Sequence, residues 1–238
     1  MDFVNALENA ATSFGLEFST CQIEAFRLYQ ELLLSWNEKV NLTAITKPEE
    51  VAVKHIIDSL ACYNESVFFD GATIVDVGTG AGFPGLPLKI FRPELKVTLL
   101  DSLNKRLVFL QEVVDRLGLK DIKIVHSRAE DAGRKKGGRE QYNVAVSRAV
   151  ARLNVLAEYC LPFVCPGGYF VALKGAQYRD EITEAKNAVT VLGGQVQEVK
   201  PIVLPGISDS RAIIYISKVS STPALYPRRP GTVEKNPL

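Results

Sequence analysis

The chain has 238 residues, 47% of them hydrophobic and 23% charged, a balance that excludes wholesale disorder and suits a packed soluble protein. No apolar stretch approaches the roughly 18–20 residues that span a bilayer, and the first sixteen residues carry Asp2 and Glu8 without a basic leader. Neither a membrane anchor nor a secretory signal is expected, and the expected location is cytoplasmic. The net charge of +1 conceals an asymmetry: residues 1–70 hold four basic and eleven acidic side chains, net −7, and the rest of the chain is net +8. A basic half of this kind is associated with polyanionic partners.

The first seventy residues read as helices. Phe3, Leu7, Ala10, Ala11 and Phe14 recur at helical spacing, and Ser19-Thr20-Cys21-Gln22 has the form of a capping box before Ile23, Phe26, Tyr29, Leu33 and Leu34. A second box, Thr46-Lys47-Pro48-Glu49, precedes Val51, His55, Ile56, Ser59 and Leu60. The polar and aromatic run from Trp36 to Thr43 between them is expected to be a turn. From residue 73 short β-rich runs at 73–77, 96–100, 122–125, 143–146 and 169–173 alternate with helical patterns such as 103–117 and 180–192. That alternation marks a βαβ series and a mostly parallel sheet. Two last runs, 196–204 and 211–219, are joined by a loop too short for a crossover, so an antiparallel edge hairpin is expected. The expected fold is thus α/β and Rossmann-like: a seven-stranded, mostly parallel sheet with an antiparallel edge hairpin and a helical N-terminal extension. The expected division is 1–70 extension, 71–220 Rossmann-like domain and 221–238 basic tail, the last without an element signal. Cys21, Cys62, Cys160 and Cys165 form no CxxC pair and the histidines are two, His55 and His126. No metal and no disulfide is expected; Cys160 and Cys165 read as buried thiols.

The chemistry concentrates at Asp76-Val77-Gly78-Thr79-Gly80-Ala81-Gly82, between a strand-like and a helix-like run. Glycines let a backbone approach a ligand closely, and ligands of open α/β sheets bind at the carboxyl ends of the strands. Gly80-Ala81-Gly82-Phe83-Pro84-Gly85 also satisfies the GxGxxG pattern of nicotinamide and flavin enzymes. Two details favour S-adenosylmethionine. Pro84 removes an amide that a diphosphate would need, and Asp76 suits a cationic sulfonium and ammonium better than a diphosphate. Asp101, at the end of the next strand, is placed to accept ribose hydroxyls of either cofactor. A glycine turn without a ligand is the plain alternative. Glu130 and the backbone of Ala129 and Glu130 are candidates for the adenine, or simply helix N-terminal groups. Ser147-Arg148-Ala149 follows the fourth strand, where a (D/N)PP(Y/F) motif or a Pro-Cys nucleophile is absent. Their absence argues against exocyclic-amine and pyrimidine-C5 methylation.

Several segments together resemble one family, the RsmG (GidB) methyltransferases of bacterial small-subunit ribosomal RNA. They are Trp36-Asn37 with Asn41-Leu42-Thr43, His55 through Leu60, Asp76 through Gly85, Arg128-Ala129-Glu130, Ser147-Arg148-Ala149, and Tyr226-Pro227-Arg228-Arg229-Pro230-Gly231. Thr232-Val233 departs from the further proline usual after Gly231. The resemblance implies a class I methyltransferase that modifies N7 of one guanine in 16S rRNA, with S-adenosylmethionine as donor. It implies cofactor contacts at Gly78, Phe83, Ala129, Glu130 and Arg148, to which the loop reading adds Gly80, Gly82 and Asp101. It raises His55, Asp58 and Ser59 as pocket residues, although a lone histidine on a helix is structural by default. Guanine N7 has a lone pair and no proton, so no general base is named and catalysis rests on positioning. Lys174, ending the fifth strand, is expected near the cofactor edge. Arg228 and Arg229 in the tail, and the loop Arg134-Lys135-Lys136-Gly137-Gly138-Arg139, are expected to meet phosphates. The expected partner is small-subunit rRNA or the 30S particle, and the expected state a monomer. A small-molecule or protein methyltransferase with the prefix as a lid, and a non-catalytic nucleic-acid-binding module, are the competing readings.

Overall fold

A computed structural model describes residues 2–238. Helix α1 (Phe3–Phe14) starts where Asp2 accepts from the Asn5 amide and stops at Gly15, left-handed at φ 77°. Helix α2 (Thr20–Val40) opens with the expected reciprocal capping box between Ser19 and Gln22. It then continues through Trp36–Val40, the first part of the segment expected to be a turn. Trp36 lies within the helix, and its Nε1 donates to Glu112 at 2.8 Å. The reversal comes at Asn41, left-handed at φ 45°, and Asn37 Oδ1 accepts from the Leu42 and Thr43 amides at 2.6 and 2.8 Å. The next helical run comprises α3 (Pro48–Val51), a π turn (Ala52–Ile57) and α4 (Asp58–Leu60). Its N-cap is Lys47 without a side-chain bond, so the box expected at Thr46 does not form.

The remaining elements alternate as expected: β1 (Thr73–Val77), α5 (Gly85–Phe91), β2 (Lys96–Asp101), α6 (Asn104–Leu117), β3 (Ile122–His126), α7 (Ala129–Arg134), β4 (Tyr142–Arg148), α8 (Leu153–Cys160), β5 (Val164–Lys174), α9 (Tyr178–Glu184), α10 (Lys186–Val191), β6 (Gly194–Ile202) and β7 (Arg211–Lys218). The strand order is β3-β2-β1-β4-β5-β7-β6, parallel through β5, with β7 antiparallel to both its neighbours. This is the expected seven-stranded, mostly parallel Rossmann-like sheet. The order reverses between β1 and β4, which opens a crevice at their carboxyl ends.

Alternation along the strands separates two cores. Ile74, Val97, Leu99, Val144 and Val146 face α1, α2, α5 and α6, whereas Val75, Val77, Leu100, Ala145 and Phe170 face α8 and α10. The N-terminal helices therefore share one core with the sheet. Phe26, Tyr29 and Leu33 of α2 are essentially inaccessible, and each such burial stabilises by about 1.5–3 kcal/mol. Tyr29 also donates from its hydroxyl to the Ala81 carbonyl in the glycine loop. The last segment, expected to lack an element, ends in the short helix α11 (Thr232–Lys235).

Candidate active site

The glycine loop leaves β1 and is tied to β2 by main chain: the Gly78 and Thr79 amides donate to the Leu100 carbonyl at 2.9 and 3.1 Å. Gly80 donates to Asp101 Oδ2 at 2.9 Å, and Leu103 donates to Oδ1 at 2.8 Å. Asp101 thus sets the loop and the start of α6 while lining the crevice. The glycines divide into two tasks. Gly78, left-handed at φ 71°, lies under Val150, and a Cβ there would sit 2.6 Å from Val150 Cγ2. Gly82, at φ 99°, faces the interior, where a Cβ would meet Leu86 and the Tyr29 hydroxyl at 2.5 and 2.7 Å. Gly82, expected to contact cofactor, instead lets α2 close on the loop.

Asp76 is also placed differently from expectation. It is fully buried beneath the loop, and its Oδ2 accepts from Thr79 Oγ1 at 2.7 Å and from the Gly85 amide at 2.8 Å. Burial pushes its pKa up to about 6 against those two hydrogen bonds. Oδ1 is buried without a partner. Asp76 shapes the turn rather than lining the crevice.

The crevice has a volume of about 500 Å³, within the range of small-molecule sites. Gly78, Gly80, Phe83, Asp101, Ala129, Glu130 and Arg148 all line it, seven of the eight expected cofactor residues. Its chemistry fits S-adenosylmethionine. A carboxylate ends β2 where ribose hydroxyls need an acceptor, Glu130 and the first amides of α7 lie beyond it, and the glycine backbone is bare at Gly80, where a Cβ would meet only the Gly78 carbonyl at 4.0 Å.

A partition of side chains closes one side. Phe83 stacks on His55 with ring centroids 4.4 Å apart at 16°, and the Arg148 guanidinium lies 5.0 Å from the Phe83 centroid. Arg148 Nη1 donates to the Lys54 carbonyl at 2.9 Å, within the π turn, and to Asp58 Oδ2 at 2.7 Å. Such turns recur at functional sites. Arg148 Nη2 lies 3.3 Å from His55 Nδ1, and Thr43 Oγ1 lies 2.8 Å from Nε2. A guanidinium only donates, so Nδ1 accepts, and Nε2 carries the proton and donates to Thr43. Burial, reinforced by the Arg148 charge, pushes the His55 pKa down to about 3. His55 is a neutral spacer with both nitrogens engaged.

The family model for rRNA small subunit methyltransferase G (GidB) matches residues 22–210. The chain is 52% identical over 232 residues to the ribosomal RNA small subunit methyltransferase G of Alkaliphilus metalliredigens, covering 98% of this chain and 97% of the relative. It is 48% identical over 237 residues to that of Desulforamulus reducens, covering 100% and 99%. The chain belongs to the rRNA small subunit methyltransferase G family. Among solved structures, it shares its fold with a mutant 16S rRNA (adenine(1408)-N(1))-methyltransferase from Catenulisporales acidiphilia crystallised with cosubstrate SAM (TM-score 0.52, 17% identity, 64% of this chain and 87% of that one). It shares it equally with Aeropyrum pernix fibrillarin bearing natively bound S-adenosyl-L-methionine (TM-score 0.52, 16% identity, 67% and 73%).

Within this methyltransferase the residues expected to meet substrate scatter. His55 lines the crevice and also a second cavity on the far side of the partition, which Asp58 and Lys174 line as well. Lys174 is therefore not at the cofactor edge; its Nζ is committed to Glu181 at 2.6 Å and to the Ala151 carbonyl at 2.7 Å. Ser59 is fully buried and lines neither cavity. Arg228 is a structural residue: its guanidinium pairs with Glu158, itself fully buried, at 2.7 Å, and its amide donates to the same carboxylate at 2.6 Å. Arg229 is exposed. The cationic loop is not free at its ends, because Arg134 donates to the Pro227 carbonyl at 2.7 Å and Arg139 to that of Tyr226 at 2.6 Å. Lys135 and Lys136 remain exposed. The docked tail brings Glu234 to the crevice, where it accepts from the Tyr159 hydroxyl at 3.1 Å. Sequence reasoning missed Tyr159, Glu234 and Val150; no local pattern marks the first two, and Val150 is visible only as the residue after Arg148-Ala149.

Proposed function

We propose that the protein transfers a methyl group from S-adenosylmethionine to N7 of one guanosine in 16S rRNA, by direct displacement without a dedicated general base. The observation that carries this reading is the chemistry of the partition. Arg148 cannot accept a proton, His55 has both ring nitrogens engaged, and Asp58 is paired with Arg148 and, through Oδ1 at 3.2 Å, with Arg211. An acceptor atom with an in-plane lone pair and no proton needs nothing more from these groups than alignment. When bound, S-adenosylmethionine supplies the electrophile, a methyl on positively charged sulfur. Asp101 would hold the ribose, Ala129 and Glu130 the adenine, and Gly78 and Gly80 would admit the amino-acid portion along the loop. In this reading residues 1–70 form one wall of the site, 71–220 bind the cofactor, and 221–238 brace the crevice. Exposed Lys105, Arg128, Lys135, Lys136 and Arg229 are the candidates for phosphate contact. The enzyme would act in the cytoplasm as a monomer, on rRNA or the 30S particle.

Two measurements test the reading. Calorimetry should detect S-adenosylmethionine binding, and no heat at millimolar ligand would sink it. Mass mapping of 16S rRNA from a deletion strain should lose one N7-methylguanine; persistence of every such residue rules out the proposed acceptor.

A further inference from the structure

Three groups from separate segments line the cofactor crevice together: Glu130 at the start of α7, Tyr159 near the end of α8, and Glu234 of α11. Glu130 is only 4% exposed, and among the described residues no hydrogen bond or ion pair engages its carboxylate. A carboxylate so buried and unpaired is costly and calls for a donor. Glu234 accepts from the Tyr159 hydroxyl through Oε1 at 3.1 Å, while among the described residues its Oε2 has no partner. Burial, then the charges of Glu130 and Glu234, raise the Tyr159 pKa above its ordinary value, so the phenol stays a donor. Glu234 is not needed to dock the tail. Val233 is fully buried, Arg228 pairs with Glu158, and Arg134 and Arg139 hold the Pro227 and Tyr226 carbonyls.

We infer that Glu234, supplied by the tail, reads the exocyclic amino group of the cofactor's adenine together with Glu130. The inference rests on the placement of the adenine at Ala129 and Glu130 proposed above. Adenine presents an amino group with two N–H donors where guanine presents a carbonyl acceptor. Two carboxylates suit the amino group, since each can accept from it and neither can donate. Tyr159 takes Oε1 of Glu234, which leaves Oε2 open to the ligand. A purine with a carbonyl at that position would set an oxygen against two carboxylates with no proton between them. The acid pair thus rejects the wrong purine by repulsion as well as selecting the right one. Such rejection has a use in a protein whose proposed acceptor is itself a guanine, because the cofactor crevice must not fill with that base. Glu234 bears on which nucleoside binds and takes no part in the displacement.

The test is calorimetry with S-adenosylhomocysteine and S-inosylhomocysteine, the second carrying a carbonyl where the first carries the amino group. The wild type should prefer the adenosyl compound by on the order of a hundredfold, since two charge-assisted hydrogen bonds are at stake. Glu234→Ala should weaken the adenosyl compound by on the order of tenfold and leave the inosyl compound unchanged or tighter, so the preference contracts. Glu234→Gln, whose amide can donate to a carbonyl, should contract it by improving the inosyl compound. Melting temperatures of both variants should match the wild type, because Val233 and Arg228 still hold the tail. Equal weakening of both compounds in Glu234→Ala, or no change in either, overturns the role of Glu234. Should the alanine variant fail to fold, the preference of the glutamine variant decides by the same ratio. A wild type that binds the two compounds alike refutes the adenine placement, and one that binds neither refutes the cofactor reading. Both outcomes are distinct from a preference that the variants leave intact.

Discussion

The two cavities on either side of Arg148 are built by different means. The cofactor crevice is mostly backbone and strand ends: Gly78 and Gly80 on one loop, Asp101 at the next strand, Ala129 and Glu130 at the third. Each of these residues sits where a parallel strand ends, so a local motif announces it. The second cavity is made of side chains from segments far apart in the chain, from Ile45 to Ile213. Its order depends on the chain of charges Arg148–Asp58–Arg211, on the π turn that presents His55 and on the start of α4 that presents Asp58. A crevice of the first kind, Glu234 aside, tolerates change in side chains but not in backbone; a cavity of the second kind should behave oppositely.

Arg148→Ala should break this arrangement most severely. Asp58 would keep only Arg211 as a partner, and breaking a buried pair in this way costs about 3–5 kcal/mol. Methyl transfer, read from labelled methyl incorporation, should fall by on the order of a hundredfold through lost positioning. A variant with normal activity would show that the partition has no functional role. Arg228→Ala should cost about 3 kcal/mol by stranding Glu158, visible as a lower melting temperature. Arg229→Ala should leave melting unchanged and instead reduce the salt dependence of RNA binding, by about one unit of slope. If the two arginines behave alike, the distinction between braced and exposed tail residues is wrong.

Gly78→Ala tests the backbone-built side. The left-handed conformation costs a side chain about 1–2 kcal/mol, and the new Cβ must displace Val150, so cofactor affinity should drop. Gly80→Ala, with no close neighbour, should pay only the conformational part. Equal losses of affinity would remove Val150 as the cause. The effect that is smallest at neutral pH, and grows on acidification, belongs to His55→Phe. Histidine in an unfolded chain titrates near 6.5, and burial lowers His55 to about 3. The unfolded state therefore binds the extra proton first, so stability present above pH 6.5 is lost as pH falls toward 3. The phenylalanine variant lacks that proton uptake and should lose less stability over the same window in urea titrations. Parallel curves for the two proteins would contradict a neutral, buried His55.

Much of the fold is legible in the sequence because its signals are local. Ser19 and Gln22 cap α2 as their spacing requires, and the short link from β6 to β7 can carry only an antiparallel return. Trp36 escapes such a reading because the partner of its indole, Glu112 on α6, lies seventy-six positions away. Arg228 escapes it for the same reason: beside Arg229 it looks like half of a basic patch, and only the docking of the tail on α8 reveals Glu158. Lys174 and Gly82 sit at the positions expected of them in the strand and loop, yet their neighbours across the core give them other tasks.

By itself, then, the sequence determined the parallel sheet, its glycine loop and the acid that ends β2, because period, turn residues and strand ends act within a few positions. Its longer segments also carried the family resemblance. The tertiary structure alone decided which charges are free. It engaged both nitrogens of His55 and committed Arg228 and Lys174 to buried carboxylates. The physical reason is that the availability of a charge depends on what is packed against it, and packing joins residues that have no neighbourhood in sequence.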